Sequence, residues 1–585
     1  MASPMQQGIE PSGWRTALGE MIAAAADALQ RFPLTALFLV LAALDANLLV
    51  ANLDPFPPEF LSRSRQEELV LALIAAALAS YAATLFVEAR RGAPWLRLAL
   101  ALGAGIAAFA IMWPSGGSHT IEWAFLAALA GLVPVAPFIG RGGSGSFWMF
   151  GARLVFAAAL SVAALLLFGG GISAILASLT YLFGIPVPDD LYQHTWISIG
   201  LFVAPLFGLG QTPREFDTTP GDLEAGFMNR GMRALGDFAA APLLLVYAII
   251  LHFYALKIVV TQSVPQGQIG WLVLTYGSCI FGTLILCRPF LDRARAPTRL
   301  FMRLWPLLLP VPLALLFYAL TLRVAAYGIT PERFLLGLFA AVTAVLVLAQ
   351  LFPRLRGDTR LIAGLPVAAL LFASFGPQGA EQRAIVSQSQ RFLALMKEQP
   401  VDEERKRQAL DALRFLSGRQ AFDRVRPDGI ERGGAKDTYH DIARAWGLDP
   451  DLTPVSADRI VLFNAQQPNA FAFSGFDLGI QGVQLNAAGR QPVMVALDDG
   501  RNLTLALGND AFEIGIGDES AVAFPISEEM IRSYSVGNGG KGGVLRLEAE
   551  GRAVLVVPYY LYADMNQEPR LKTVSGALLL RRADW

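Results

Sequence analysis

The chain is poor in the residues from which most enzymes build their sites. Its 585 residues include two cysteines, Cys279 and Cys287, and four histidines, His119, His194, His252 and His440. Both cysteines fall inside one apolar run, which excludes a disulfide framework and a cysteine zinc cluster. No two histidines are close enough in sequence to form a helical metal pair. The H-E-x-x-H, C-x-x-C and G-x-S-x-G signatures are also missing, so no metal or cofactor is expected. Charge is scarce: Asp, Glu, Lys and Arg make up 16% of the chain, against roughly 25% in an ordinary soluble domain. A net charge of −1 supplies no field to attract nucleic acid.

What is abundant is apolar. Hydrophobic residues reach 54% and the mean hydropathy is +0.46, the signature of a polytopic membrane protein. The charges are unevenly spread. Residues 1–376 hold 23 Lys+Arg and 20 Asp+Glu, and the shorter remainder holds 24 and 28. Lys257 is the only lysine in the first part. The expected organisation is an interfacial amphipathic segment over 1–32, a membrane bundle over 33–376, a helical connector over 377–454 and a β-rich soluble domain over 455–585. Residues 380–585 are expected to fold as a separate unit.

A bilayer crossing needs about 20 apolar residues. Eleven runs qualify as expected spans, near 33–53, 69–88, 96–113, 121–140, 148–183, 192–210, 238–260, 268–287, 304–326, 332–352 and 361–376. The fifth is long for one crossing, and Gly169-Gly170-Gly171 is expected to kink or break it. The eleventh is short and contains Pro366. With the N-terminus in the cytoplasm, the inside segments carry 18 Lys+Arg and the outside segments five. This follows the positive-inside rule and places the tail outside the cytoplasm.

In the tail, residues 380–398, 402–418 and 436–447 read as helices. From about 455 the period changes to two. Val493, Val495 and Leu497 alternate, Asp499-Gly500 turns, and Leu503, Leu505 and Leu507 alternate back, which is a hairpin pattern. Leu545, Leu547 and Ala549 followed by Gly551 and Ala553, Leu555 and Val557 make a second. Such strands build a small sandwich or barrel. Gly537–Gly543, with Lys541, imitates a phosphate loop but lacks the Ser or Thr after lysine, and it reads as a hairpin turn.

Polar residues at membrane depth are the candidate site, because they normally face protein or water. Asp45, Glu122, His194, His252, Lys257, Arg323 and Tyr327 form this set. For Glu122, Lys257 and Arg323 the plain reading is snorkelling to the interface. For His252 it is packing, and for Asp45 a structural hydrogen bond or ion pair within the bundle; the candidate cations are Lys257 and Arg323, if the seventh or ninth span packs beside the first.

Two stretches carry a resemblance. One runs from Pro242 to Lys257 and includes Leu251-His252-Phe253-Tyr254; the other is Arg323-Val324-Ala325-Ala326-Tyr327-Gly328-Ile329-Thr330-Pro331-Glu332-Arg333-Phe334. Together they resemble the bacterial integral-membrane family known as domain of unknown function 4153. The resemblance implies a multi-span architecture and no activity. Read physically, Gly328 ends a helix, Thr330 is an N-cap, Pro331 fits the first helical position and Glu332 complements the dipole. The reading that follows is a non-enzymatic envelope protein that binds or organises partners through its extracytoplasmic domain. The alternatives are a transporter or lipid-handling protein with a polar cavity in the outer half of the bundle, and a membrane-embedded enzyme. The expected partners are membrane lipids, an envelope protein, or a lipid or glycan ligand, with no nucleic acid.

Overall fold

The computed structural model describes residues 25–53, 63–113, 119–219, 227–261, 268–397, 402–427 and 435–450, then 460–464, 475–487, 492–497, 501–508, 511–517, 521–527, 530–531, 544–564 and 570–584. The chain divides into two compact units, Met1–Thr453 and Pro454–Trp585.

The first unit is helical. Its elements are α1 (Pro33–Val50), α2 (Arg63–Ala89), α3 (Pro94–Met112), α4 (His119–Val135), α5 (Ser144–Phe183), α6 (Asp189–Ser198), α7 (Ala204–Gly210), α8 (Phe227–Leu235), α9 (Ala241–Thr261), α10 (Gln268–Cys287), α11 (Ala296–Leu308), α12 (Pro310–Tyr327), α13 (Pro331–Ala349), α14 (Thr359–Ala373), α15 (Ala380–Lys397), α16 (Glu403–Ser417) and α17 (Ala435–Ala445). Single π-turns, Ile199–Val203 and Gly236–Ala240, join α6 to α7 and α8 to α9. Proline opens α1, α3, α12 and α13, where its missing N–H costs nothing.

Among the described residues, nine helices are long and apolar enough to cross a membrane. Large apolar side chains such as Leu167, Phe183, Val260 and Trp271 stand exposed on them, as lipid-facing surface requires and water-facing surface does not tolerate in such number. Nine of the eleven expected spans correspond to these helices. The other two are the shorter Thr359–Ala373 and the π-interrupted stretch from Asp189 to Gly210.

The break expected at Gly169-Gly170-Gly171 is absent: α5 runs unbroken for 40 residues, about 60 Å at 1.5 Å per residue. Glycine weakens a helix without stopping it. Here Gly169 makes room for the Trp196 ring, which a Cβ would meet at 2.8 Å. Gly184, in the left-handed conformation, ends the helix instead. The expected interfacial helix falls mostly outside the described residues.

Small residues bring α1, α2 and α3 together. Ala72, Ala75, Ala76 and Ala79 of α2 are buried. A Cβ on Gly105 of α3 would strike the Phe38 ring at 2.6 Å and the Ala76 carbonyl at 3.3 Å, a close approach of the kind small residues permit. Charge then ties the helix ends. Arg31 pairs with Glu88 at 2.8 Å and also donates to the carbonyls of Thr212 (2.7 Å) and Pro213 (2.9 Å). Arg97 pairs with the same carboxylate at 3.2 Å, and Arg141 pairs with Asp217 at 3.1 Å. Ser144 donates to Asp358 at 3.0 Å, and Arg360 pairs with Asp358 at 2.8 Å while also reaching the Gly142 carbonyl. Burial raises the Asp358 carboxyl, but the hydrogen bonds from Arg360 and Ser144 outweigh it and hold it below the ordinary carboxylate range.

Helices α15, α16 and α17 belong to this first unit, around Phe392, Leu410, Leu413 and Ile442. They do not join the β-rich region in one fold spanning 380–585. Their sequence shows a soluble charge density, but α15 bonds to the bundle, as described below.

The strands of the second unit are β1 (Ile460–Asn464), β2 (Leu478–Asn486), β3 (Val493–Ala496), β4 (Asn502–Leu507), β5 (Ala511–Ile516), β6 (Val522–Pro525), β7 (Leu545–Ala549), β8 (Arg552–Asp564) and β9 (Arg570–Leu580). They form a five-stranded sheet, β1-β8-β9-β2 with β7 on β8, and a four-stranded sheet, β3-β4-β5-β6. Every described pairing is antiparallel. Strand β3 (Val493–Ala496) pairs with β4 (Asn502–Leu507), Val493 opposite Leu505 and Val495 opposite Leu503, as the alternation predicts. Strand β7 (Leu545–Ala549) turns into β8 (Arg552–Asp564) through Glu550 and Gly551, both at positive φ, the geometry of a tight two-residue hairpin. Leu505, Phe512, Ile514 and Phe524 of one sheet share a core with Leu547, Val554, Val556 and Leu578 of the other, which makes the unit a sandwich. Gly537–Gly543 lies outside the described residues.

A unit with its own core should fold alone. Residues 454–585, expressed separately, should be soluble and unfold cooperatively in urea, and Phe524→Ala should cost about 3–5 kcal/mol. A molten fragment, or one indifferent to that truncation, would show that its core is completed elsewhere.

Candidate functional site

The second resembling stretch forms the corner between α12 and α13. Gly328 has φ +71° and ψ −179°, a conformation essentially reserved for glycine. A Cβ there would sit 2.8 Å from Gln388 Nε2 and 3.3 Å from Ser387 Oγ. Thr330 caps α13 by accepting from the Arg333 amide, and Pro331 occupies the first turn. The helical corner is as the residues predict.

The corner leaves backbone groups outside any helical ladder, and α15 supplies many of their partners. Gln388 Nε2 donates to the carbonyls of Tyr327 (2.9 Å) and Ile329 (3.0 Å). Ser387 Oγ accepts from the Ile329 amide at 2.9 Å. From the other side, Arg333 Nη1 donates to the carbonyls of Gly328 (2.8 Å) and Tyr327 (3.3 Å). Gln388 is 3% exposed, so its two bonds are made away from water, where an unmet partner costs most.

Three arginines converge on this corner. The guanidinium of Arg333 lies 5.6 Å from the Tyr327 ring centroid and that of Arg391 5.8 Å from it, within cation–π range. Arg323 is one helical turn before Tyr327, on the same face, and Arg323 and Arg391 both act on Arg333 as like charges. Burial is the chief cause that lowers the Arg391 pKa, with Asp411 opposing it; an arginine stays charged regardless. Arg391 Nη2 is buried without a hydrogen-bond partner.

Beside the corner opens a groove of about 750 Å³ between α4, α10, α13 and α14. Its walls include Leu274, Phe281, Leu336, Phe339 and Ile362, and its polar residues include Thr120 and Glu332. Thr120 donates to Glu332 at 2.9 Å.

The remaining candidate residues separate. Asp45 is 7% exposed and its Oδ2 has no partner. The expected cations do not reach it: α1 packs chiefly on α2, α6 and the π-turn after it, Lys257 is exposed, and Arg323 lies at the corner. Depth is legible in a sequence, but which helix stands beside which is not. Thr35 opposite Ser80 fixes the antiparallel register of α1 and α2. That register sets Asp45 within about 6 Å along the axis of Gln66, whose amide is also buried without a partner. Glu122 is 3% exposed, so it is buried in the bundle and does not snorkel. His194 Nδ1 meets Asn47 Oδ1 at 2.7 Å, and Asn47 donates to Ser198 at 3.2 Å. His252 Nδ1 donates to the Ala248 carbonyl of its own helix at 2.7 Å, and the residue lines an apolar pocket between α9 and α11. Among the described residues, no three His, Cys, Asp or Glu side chains gather as metal ligands.

The family model described as "Domain of unknown function (DUF4153)" matches residues 33–391. The chain belongs to this family. The matched region ends at Arg391, so it takes in the corner and the three α15 residues that clasp it. An uncharacterised protein of Pasteurella multocida (strain Pm70) is 26% identical over 204 residues, covering 34% of this chain and 33% of that protein. The chain thus spans a third of the length of this relative. No solved structure matches.

Sequence reasoning missed Ser387, Gln388 and Arg391. A signal existed: they sit at i, i+1 and i+4, one polar edge of a helix whose Phe392 and Met396 point into a core. What that edge faces could not be read.

The clasp can be loosened selectively. Gly328→Ala should lower stability by about 1–3 kcal/mol through backbone strain, and Gln388→Ala by a similar amount through two abandoned carbonyls. Both should speed protease cleavage between residues 380 and 427. Unchanged cleavage in both variants would mean that α15 is held by other contacts.

Proposed function

We propose that this membrane protein is a non-enzymatic scaffold of the bacterial inner membrane, presenting its C-terminal region outside the cytoplasm to envelope partners. The observation that carries the reading is the clasp. The first helix after the bundle is bonded into a corner of the bundle through the buried Gln388 and the half-buried Ser387, so α15–α17 form a platform fixed to the membrane part.

Two observations support the orientation. The 18-to-5 bias of positive charge favours a cytoplasmic N-terminus. The contacts also sort by expected side: Arg31, Glu88, Arg97, Arg141, Thr212 and Asp358 fall in one linked set of end contacts. Asn47 with His194, and Thr120 with Glu332, join segments expected on the other side. Helix α14 begins beside Arg141 and Ser144 and leads towards α15, which supports a crossing despite its 15 residues. A second reading, lipid handling, is favoured by the groove.

Topology reporters fused after Gly379 test the orientation. A periplasm-dependent reporter should be active there and a cytoplasm-dependent one silent. The reverse would place the platform in the cytoplasm and remove the envelope role.

A further inference from the structure

We infer that the corner and the groove beside it bind an anionic phospholipid, with the phosphate on the arginines and an acyl chain in the groove. This deepens the lipid-handling reading and rests on it. The groove follows α13 from Glu332 to Val342, ten residues or about 15 Å of helix, which suits a chain running along the helix from the membrane face. Its Thr120 and Glu332 end is at the first turn of α13, next to the corner, and the arginines stand outside its lining. Lipid tails in a bilayer are as apolar as this groove, so the groove by itself cannot choose among lipids. Selection has to come from the head group.

The charge at the corner provides it. Arg333 feels the charge of both Arg323 and Arg391, with Glu332 as the acid acting on Arg333 and Asp411 as the acid acting on Arg391. Glu332 already accepts from Thr120 and lies near Arg419, and Arg419 is paired with Glu381. Arg333 uses Nη1 on the corner carbonyls, and Arg391 keeps a buried Nη2 donor with no acceptor. A phosphate offers several acceptor oxygens at once and relieves the like-charge crowding, and guanidinium is the group that matches it by geometry. Free phosphate shares this chemistry but has no use for the groove.

The test is lipid retention by the purified full-length protein in detergent, read by native mass spectrometry. Three probes are used: phosphatidylglycerol, phosphatidylcholine and inorganic phosphate. The wild type should retain phosphatidylglycerol over phosphatidylcholine by about tenfold. Arg323→Gln/Arg391→Gln should bring that ratio close to one while still holding some of both lipids. Ser278→Trp, which fills the groove, should lower retention of both. Arg391→Lys keeps the charge and loses the fork, so it should give an intermediate ratio even if the double variant fails to fold. Equal retention of the two lipids by the wild type, or a ratio unmoved by the arginine changes, would overturn the inference and leave lipid handling standing. Displacement of phosphatidylglycerol by millimolar phosphate would assign the arginines to the free anion. Retention of no lipid would remove the lipid-handling reading itself.

Discussion

Turning a chain between two helices at a membrane face exposes backbone groups that water cannot be relied upon to satisfy, and this constraint organises the first unit. The carbonyls of Tyr327, Gly328 and Ile329 and the Ile329 amide are met by Arg333, Gln388 and Ser387. Because two of those partners belong to α15, satisfying the corner and docking the extramembrane helix are one event. Gly328 is needed for the same reason: any side chain would occupy the space through which Gln388 reaches. A local backbone requirement thereby becomes a long-range tie between the bundle and the helical platform.

The set of contacts around Glu88 uses a different device. Arg31 and Arg97 share Glu88, and Arg31 also collects the carbonyls that follow α7. Partly buried pairs of this kind add little net stability over apolar packing, but breaking one leaves a charge uncompensated. They therefore specify which helix ends meet. The apolar stripes, Ala72 to Ala79 above all, fix how closely the helices approach and say little about their order.

The sequence was most legible where one residue type had one physical use. Gly328, Thr330 and Pro331 each take the position their chemistry favours, and the alternation of Val493, Val495, Leu503 and Leu505 made the hairpin readable. It misled where a residue is permissive: three consecutive glycines inside α5 were compatible with a break or with close packing against Trp196, and the helix took the second. It was silent where the answer depended on neighbours. The depth of Asp45 was readable and its burial followed, yet its surroundings are α2 and α6 rather than the helices bearing Lys257 and Arg323. The role of Gln388 was unreadable because its partners are backbone atoms 59 to 61 positions away, which no local pattern encodes.

The central claim is that the corner holds α15, and hydrogen–deuterium exchange of the full-length protein tests it most directly. Amides of residues 380–397 should exchange slowly in the wild type and markedly faster in Ser387→Ala/Gln388→Ala, while residues 545–580 of the β unit keep their rates. Slow exchange across 380–397 after both side chains are removed would contradict the account, since α15 would then be held without the corner.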